Sequence, residues 1–297
     1  MERLPIDLQN LLREQFKNNL DEVISGFNKE IHTIFRVNTL KATIDEIINE
    51  LDKNNINYEI VDNEKRIFKL NEDASKIEKL SMYENGSIYL QSISSMLPVY
   101  YLNPQKNNDI LDMAAAPGGK TSQIAALTNN ESRITAYEIN KIRAEKLKYN
   151  LNKLGVKNCT VIEQDARNID SFFRFDQILL DAPSSGTGTI DINNPSTYKS
   201  FNKKMINYTT RCQEKLLNKA LDVLKPDGTM VYSTCSILSI ENENIISNVL
   251  RKRKDVEIVK LSLDKDLLLD CKLDGALLIK PTATNEGFFI CKLRKIK

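Results

Sequence analysis

The stretch DILDMAAAPGGKTSQIA, residues 109–125, decides the fold of this chain. Its first half is an apolar run of the kind that forms a buried parallel strand. Its second half contains Pro117, Gly118 and Gly119, which predict a tight turn, and then passes into a helical pattern that lasts to Leu127. A strand that leads through a glycine turn into a helix is the repeating unit of a doubly wound α/β sheet, so this fold class is predicted here.

The same alternation continues through residues 105–297, which we predict to form one Rossmann-like unit. Its parallel strands are expected in the order 3-2-1-4-5, and an antiparallel edge strand closes the chain. In chain order, the strands after the first are predicted at RITAYEI (133–139), CTVIEQDAR (159–167), FDQILLDAP (175–183), TMVYSTC (229–235) and, as the edge strand, EGFFICKL (286–293).

Residues 1–104 have a different pattern, which predicts a smaller α+β unit. Residues 33–39 alternate like a strand, and a capping box at Thr43 opens the helix that follows. The segments 58–61 and 66–70 are interpreted as a hairpin pair. An order of strand, helix, strand and strand favours a ferredoxin-like or RRM-like sheet.

The composition is that of an ordinary globular protein, with 41% apolar and 28% charged residues in a chain of 297. No run reaches the roughly 18 consecutive apolar residues of a membrane helix, so no membrane partner is expected. The five cysteines are an odd number without a CxxC pair, which argues against a disulfide framework and against a structural zinc site. We therefore expect no metal and a reducing compartment, the cytoplasm.

Charge is distributed unevenly although the net charge is only +2. Residues 1–104 carry 12 Lys and Arg against 17 Asp and Glu, whereas the remainder carries 30 against 23. The basic excess includes the runs KSFNKK (199–204) and RKRK (251–254), which can bind phosphate groups. Each run alone is more often a solvated helix face, so the basic excess permits a nucleic-acid partner without requiring one.

Glu138 is the first candidate ligand-binding residue beyond the glycine turn. It follows the second predicted strand about 20 residues after the glycines, where an acid can accept both ribose hydroxyls of a nucleoside. The turn is not a P-loop, because Ala114 stands where that motif needs glycine, and the GxGxxG pattern is absent. The residues thus predict a nucleoside and leave NAD and S-adenosylmethionine open. Asp165, after the third strand, can meet an adenine amino group, although an Asp there is commonly a helix cap.

Asp181 and Cys235 end the fourth and fifth predicted strands, which are neighbours in the expected order, so the two side chains should emerge side by side. Gly186 and Gly188 are predicted to let a planar substrate approach. A cysteine at a strand end is usually a small core residue, so packing and nucleophilic roles both stay open for Cys235. The only histidine, His32, is interpreted as structural, so a nucleophilic cysteine would need activation by a helix terminus, a lysine or the substrate.

Read together, these segments resemble the Sun/Nop-type (RsmB-like) RNA 5-methylcytosine methyltransferases. The resemblance covers most of the chain, and its blocks follow the family's order and spacing. The matching blocks are FRVNTLK, GSIYLQSISSML, LDMAAAPGGKT, YEINKIRAEKLKYNLNKLGV, EQDAR, LLDAPSSGTG, YSTCSILSIENE and GFFICKLRK.

The resemblance implies an S-adenosylmethionine-dependent enzyme that methylates C5 of a cytosine in RNA. Cys235 matches the family's nucleophile, which attacks C6 of the base and makes C5 able to accept a methyl group, and Asp181 and Lys120 share the catalytic site. Residues 1–104 match the family's RNA-binding extension. The residues that would bind or border the cofactor are Ala114, Ala115, Ala116, Pro117, Gly118, Gly119, Lys120, Glu138, Asp165 and Asp181.

Ser184 is the most consequential departure from the family pattern. The block after the fourth strand commonly reads DAPCSG, and the family is thought to use that cysteine to release the product; here the residue is Ser184. Cys235 is therefore the one thiol expected at the site, and turnover is the open question. Ala114, which replaces a cysteine of the family pattern, and Pro281-Thr282, where Pro-His is common, are smaller departures.

Ribosomal RNA is slightly favoured over transfer RNA as the substrate, because no extra terminal module is evident, and a monomer is expected. One alternative is an RNA-binding relative that keeps the cofactor pocket but turns over poorly and acts in ribosome assembly. Another is a nucleotide-dependent oxidoreductase on the same fold.

Overall fold

The computed structural model describes residues 1–30, 32–62, 64 and 66–296, which form two β-sheets with helices around them. The helices are α1 (Ile6–Phe16), α2 (Leu20–Gly26), α3 (Ile44–Lys53), α4 (Ser81–Glu84), α5 (Ile93–Leu102), α6 (Gly119–Leu127), α7 (Lys141–Lys153), α8 (Lys203–Val223) and α9 (Glu243–Lys252). The strands are β1 (Ile34–Val37), β2 (Tyr58–Asp62), β3 (Ile67–Leu70), β4 (Ile88–Leu90), β5 (Asp109–Asp112), β6 (Arg133–Tyr137), β7 (Cys159–Ile162), β8 (Phe175–Asp181), β9 (Leu224–Thr234), β10 (Val256–Val259), β11 (Leu277–Ile279) and β12 (Phe288–Lys295).

The large sheet has the strand order β7-β6-β5-β8-β9-β12-β10, and β11 also pairs with β12. Its first five strands are parallel, which confirms the predicted order 3-2-1-4-5. The last strand, β12, is antiparallel as predicted, but its placement at the edge was wrong, because β10 and β11 pair with its other side. The apolar run of β12 explains this: Phe288 to Cys291 are all buried, as is usual for an interior strand.

The small sheet has the order β2-β3-β1-β4 with every pair antiparallel. Helix α3 follows β1, and the single turn α4 lies between β3 and β4. This is the strand-helix-strand-strand-helix-strand order of a ferredoxin-like sheet, as predicted. The expected hairpin of β2 and β3 is present, although Asn63 and Lys65 of its turn lie outside the described residues.

The first two helices belong to the core of the large sheet rather than to the small sheet. Leu8 and Leu12 of α1 and Phe27 after α2 are buried in the same apolar cluster as Leu217 and Tyr232. These two helices come before the small sheet in the chain, and the strands they pack against come after it. The small sheet is therefore inserted between two parts of the chain that share one core. The functional division of the chain at residue 104 stays a prediction.

Helix α5 connects the two sheets. Its Met96 packs with Ile34 and Ile67 of the small sheet, while Leu97 and Val99 pack in an apolar cluster of the large sheet. One short helix therefore belongs to both cores, which fixes the small sheet against the large one.

Helix α8 is the longest described helix, with 21 residues. Its N-cap is Asn202, whose side chain accepts the N–H of Met205 at 3.0 Å, and its apolar stripe includes Leu217 and Leu221. The opposite face is polar, which is the pattern of a helix that covers one side of a sheet. Among the described helices, none combines the length and apolar character needed to cross a bilayer.

Candidate active site

Two cavities lie at the carboxyl ends of the parallel strands and share a wall. The strand-end cavity, about 320 Å³, extends from the end of β6 to the loop after β8. The seam cavity, about 260 Å³, lies between the small sheet and the loop after β5. Ala114, Ala116 and Asp181 line both. A site at this edge agrees with the general rule for doubly wound sheets.

Glu138 is a buried carboxylate on the wall of the strand-end cavity. It directly follows β6, and only 3% of its surface is exposed. Its Oε1 accepts the N–H of Asn140 at 2.9 Å, and Arg143 Nη2 lies 3.5 Å from Oε2. A buried carboxylate at the end of the second parallel strand suits a ligand with paired hydroxyls, such as a ribose.

Asp165 also lines the strand-end cavity, but it has a local structural role as well. It caps the short helical turn Ala166–Asn168 by accepting the N–H of Arg167 at 2.9 Å, so the helix-cap alternative is confirmed. Both carboxylate oxygens also accept hydrogen bonds from the Arg167 guanidinium, which lowers the pKa of Asp165. A ligand amino group would therefore share this carboxylate with Arg167.

The glycines of the turn after β5 make close contacts with the protein itself. Gly118 has a φ of +109° at the start of α6 and lies against Leu147. A Cβ at Gly119 would lie 2.7 Å from the Tyr89 ring. The close approach predicted for a ligand is thus made by Leu147 and Tyr89. Of the predicted loop residues, Ala114 and Ala116 line both cavities, Ala115, Pro117, Gly119 and Lys120 line the seam cavity, and Gly118 lines neither.

Lys120 and Asp181 form a largely buried ion pair on the wall of the seam cavity. The Lys120 Nζ lies 2.8 Å from Asp181 Oδ2 and 2.8 Å from Ser95 Oγ. The other oxygen, Asp181 Oδ1, accepts a hydrogen bond from Ser233 at 2.7 Å. Burial lowers the pKa of Lys120, but the charge and hydrogen bond of Asp181 outweigh it, so the pKa is raised and the amine stays cationic.

Cys235 directly follows β9, and the predicted adjacency to Asp181 is confirmed, since Asp181 pairs in parallel register with Ser233. The Cys235 Sγ lies 3.3 Å from Ser184 Oγ, and Cys235 lines the strand-end cavity. Burial, and then the charge of Asp181, raise the pKa of the thiol to about 11. Cys235 packs partly against the apolar cluster that contains Val231, so packing and exposure to the cavity coexist.

A second thiol, Cys212 of α8, also lines the strand-end cavity, so the expectation of one thiol at the site was wrong. Burial raises its pKa, and Arg167 is the next influence, which lowers it. The sequence offered no signal for this placement, because a cysteine inside a helix reads as ordinary core. His32 is exposed and is not part of either cavity lining.

The loop after β8 is joined to the backbone at Cys235. Gly188 N–H donates to the Cys235 carbonyl at 2.9 Å, and a Cβ at Gly188 would lie 1.8 Å from the Gly287 carbonyl oxygen. The close approach expected for a planar substrate at Gly188 is therefore a backbone contact with Gly287. Gly186 adopts the left-handed region with a φ of +73°.

Two carboxylates that line the seam cavity were not predicted from the sequence. Asp112, at the end of β5, is buried, accepts a hydrogen bond from Thr121 at 2.7 Å and has a pKa raised to about 6, mainly by burial. Glu286 accepts a hydrogen bond from Ser92 at 2.8 Å. Asp112 lies inside the block LDMAAAPGGKT and Glu286 directly precedes the block GFFICKLRK, but their direction into a cavity depends on the tertiary structure.

The strand order, the antiparallel last strand and the crevice at the strand ends define a Rossmann-like fold, and this fold is shared with a solved methyltransferase homolog. Residues 99–294 match the family described as 16S rRNA methyltransferase RsmB/F, and the chain belongs to this family. The resemblance noted in the sequence is thereby confirmed.

Three known proteins illustrate the relationship. The chain is 35% identical over 278 residues to the 25S rRNA (cytosine-C(5))-methyltransferase nop2 of Schizosaccharomyces pombe, covering 88% of this chain and 46% of that protein. It is 35% identical over 222 residues to the tRNA (cytosine(72)-C(5))-methyltransferase of Pyrococcus horikoshii, covering 74% and 56%. The solved structure of a methyltransferase homolog protein from Pyrococcus horikoshii superposes with a TM-score of 0.82 at 32% identity, covering 97% and 94%. The chain thus spans about half the length of these two curated relatives.

Proposed function

We propose that the protein transfers a methyl group from S-adenosylmethionine to C5 of a cytosine in RNA, through a covalent bond between Cys235 and C6. One observation carries the proposal: a thiol and a carboxylate, Cys235 and Asp181, end neighbouring strands and line one cavity, which the buried Glu138 also lines. The family and the names of the relatives support the same reaction.

The strand-end cavity fits the proposed cofactor. Glu138 would accept the ribose hydroxyls, Asp165 would face the adenine, and Ala114 and Ala116 would border the ligand. When bound, S-adenosylmethionine supplies an activated methyl group. The chain's own part is to hold a nucleoside between a buried acid and the loop after β5, beside the Cys235 thiol.

We propose that the cytosine enters through the seam cavity and reaches across the shared wall at Asp181 to Cys235, which lines the strand-end cavity. Asp181 would accept a hydrogen bond from the exocyclic amine of the base, and the cationic Lys120 would stabilise negative charge that develops on the ring. Attack by Cys235 at C6 breaks the aromatic system and makes C5 nucleophilic, and loss of the C5 proton then expels the sulfur. A base can enter only when it leaves its stack, so an unpaired or flipped nucleotide is the expected substrate.

Residues 1–104 are proposed to bind RNA, since Tyr89 and Leu90 of the small sheet line the seam cavity. Ribosomal RNA is the proposed substrate because the matching family is described by ribosomal RNA. The five cysteines are free thiols, which supports the proposed cytoplasmic setting.

Cys235→Ala tests the mechanism in an assay with labelled S-adenosylmethionine and with ribosomal and transfer RNA as separate substrates. Methylation should fall below detection, while binding of S-adenosylhomocysteine by calorimetry changes little. Cys271→Ala is the matched control, because this half-buried thiol belongs to neither cavity lining and should leave activity intact.

Undiminished methylation by Cys235→Ala would exclude the covalent mechanism. Binding of NAD instead of S-adenosylhomocysteine would favour the oxidoreductase. A wild-type protein that stops after one turnover would favour the assembly-factor alternative.

A further inference from the structure

The hydroxyl of Ser184 lies 3.3 Å from the sulfur of Cys235, at the position where the family pattern has a cysteine. We propose that Ser184 is a catalytic residue whose hydroxyl donates a hydrogen bond to the Cys235 thiolate, both when the thiolate forms for attack and when it leaves the product. This inference rests on the proposed function and assigns the residue a task other than that of a second thiol.

The chemistry of the two side chains sets the direction of the bond. A serine hydroxyl keeps its proton at any working pH, so beside a thiolate it acts as the donor. The charged groups that face Cys235 oppose one another: Asp181 and Glu286 raise its pKa, whereas Lys120 lowers it. The Ser184 hydrogen bond also lowers it, which opposes the large effect of burial.

Two buried side chains hold Ser184 from both sides. Gln213 Nε2 donates to the Pro183 carbonyl at 3.0 Å, and Glu241 Oε1 accepts the N–H of Ser185 at 2.9 Å. Both Gln213 and Glu241 are fully buried. The residues on either side of Ser184 are thus fixed by groups that cannot relax into solvent.

Glu241 is the centre of this arrangement. Its carboxylate also accepts hydrogen bonds from the Ser185 hydroxyl and, at 2.7 Å, from Thr209 Oγ1. A buried carboxylate is stable only when its oxygens are well satisfied, so these donors make Glu241 a rigid anchor for the loop. We assign Glu241 and Gln213 as positioning residues that keep the Ser184 hydroxyl against the sulfur.

Attack and release make and break the same S–C6 bond. In attack, the thiol proton passes to solvent, a sulfur electron pair forms the bond to C6, and the C5–C6 π pair moves to C5, where it would take up the donor's methyl group while the S–CH3 pair stays on the donor's sulfur. In release, water takes the C5 proton, the C5–H pair forms the C5–C6 double bond, and the S–C6 pair returns to the Cys235 sulfur. Because the thiolate is the species at both ends, one hydroxyl donor assists attack and release, and no second thiol is needed.

Alkylation of Cys235 by iodoacetamide tests the inference without RNA. Rates are followed at pH 8 by peptide mass spectrometry for the wild type, Ser184→Ala and Ser184→Thr. Because a hydrogen bond to a charged group is strong, we expect Ser184→Ala to lower the rate about tenfold. Ser184→Thr keeps the hydroxyl and should stay close to the wild type. An unchanged rate in Ser184→Ala would overturn the inference.

RNA with 5-fluorocytosine isolates attack from release, because fluorine cannot leave as a proton does. Ser184→Ala should form the covalent adduct about tenfold more slowly. Glu241→Gln should act in the same direction and add little to Ser184→Ala in the double variant. Normal adduct formation with slowed turnover on ordinary RNA would instead limit Ser184 to release. If the wild type forms no adduct, the proposed function fails, while the alkylation result still decides the role of the hydroxyl.

Discussion

At the scale of single residues, the site holds its proposed nucleophile in the protonated, unreactive form. With a pKa of about 11, the Cys235 thiol is almost entirely protonated at neutral pH. Lys120 is neutralised by Asp181, so its charge is only partly available to the sulfur. A base that engages Asp181 would free part of that charge, and reactivity would then rise when the substrate arrives.

Asp112 gives the site a pH dependence of stability. Its pKa is about 6 in the folded protein and 3.8 ordinarily, so between these values the folded state binds more protons than the unfolded state. Stability should therefore decline as pH rises from about 4 to about 6 and then level off, by about 3 kcal/mol for this group. Asp112→Asn should remove this decline, as measured by urea unfolding across that range.

Asp255→Asn is a control of opposite sign for this measurement. The hydrogen bond from Arg253 lowers the pKa of Asp255, so its stabilising effect is lost as pH falls. A wild-type pH profile identical to that of Asp112→Asn would show that Asp112 is not the group responsible.

The candidate residues at strand ends were predictable, and the residues that support them were not. Glu138, Asp181 and Cys235 stand at the carboxyl ends of predicted parallel strands, where the fold class itself places ligands. Asp112 also lies at the carboxyl end of a parallel strand, but nothing in the sequence distinguished it from an ordinary polar residue at a strand end. Glu241 matters through four hydrogen bonds to three distant side chains and a backbone group, and no local pattern encodes those.

At the scale of elements, apolar runs predicted the strands of the large sheet well. The run of β12 is apolar on both faces, which is the mark of an interior strand, and this could have corrected its placement at the edge. The strand beyond β12 at this edge, β10, is the four-residue segment VEIV, whose β-branched residues favour a strand but whose length gives only a weak signal. The hydrophobic pattern therefore predicts where strands occur more reliably than it predicts the order of the last strands in the sheet.

The contact between the loop after β8 and the start of β12 leads to a prediction at this scale. A methyl group at Gly188 would lie 1.8 Å from the Gly287 carbonyl, and only separation of the two backbones can relieve the overlap. We expect Gly188→Ala to lower the free energy of unfolding by about 3 kcal/mol and to remove most activity, because the loop carries Ser184.

Gly186→Ala is the matched control. Its φ of +73° disfavours alanine, but the nearest atom to a Cβ there is Thr189 Oγ1 at 3.5 Å, so only backbone strain of about 1 kcal/mol is expected. Equal losses in the two variants by chemical denaturation would contradict the steric explanation for Gly188.

At the scale of the whole molecule, the two sheets are joined by buried polar contacts as well as by α5. Arg36 of β1 is buried and donates to the Gly119 carbonyl at 2.9 Å and to Ser122 Oγ at 2.8 Å. Burial lowers its pKa to about 10. A buried cation without such acceptors would be strongly destabilising, so the small sheet and the first turn of α6 depend on each other.

This mutual dependence predicts that residues 105–297 do not fold alone. Separating them removes the buried apolar residues of α1, α2 and α5 from the large core, including Leu8, Leu12, Leu97 and Val99. Each such side chain contributes about 1.5–3 kcal/mol when buried. The fragment should lack a cooperative thermal transition and should not bind S-adenosylhomocysteine, in contrast to the full chain. A fragment that unfolds cooperatively and binds with full affinity would show that the division at residue 104 is also a folding boundary.

The wall shared by the two cavities has a thermodynamic consequence. Ala114, Ala116 and Asp181 face both spaces, so whatever occupies one space changes the surroundings of the other. If the methyl donor alters the affinity for RNA by some factor, RNA must alter the affinity for the donor by the same factor. Under the proposed function, product release would be coupled in the same way, because conversion of the donor would change what one face of this wall contacts while RNA would contact the other face.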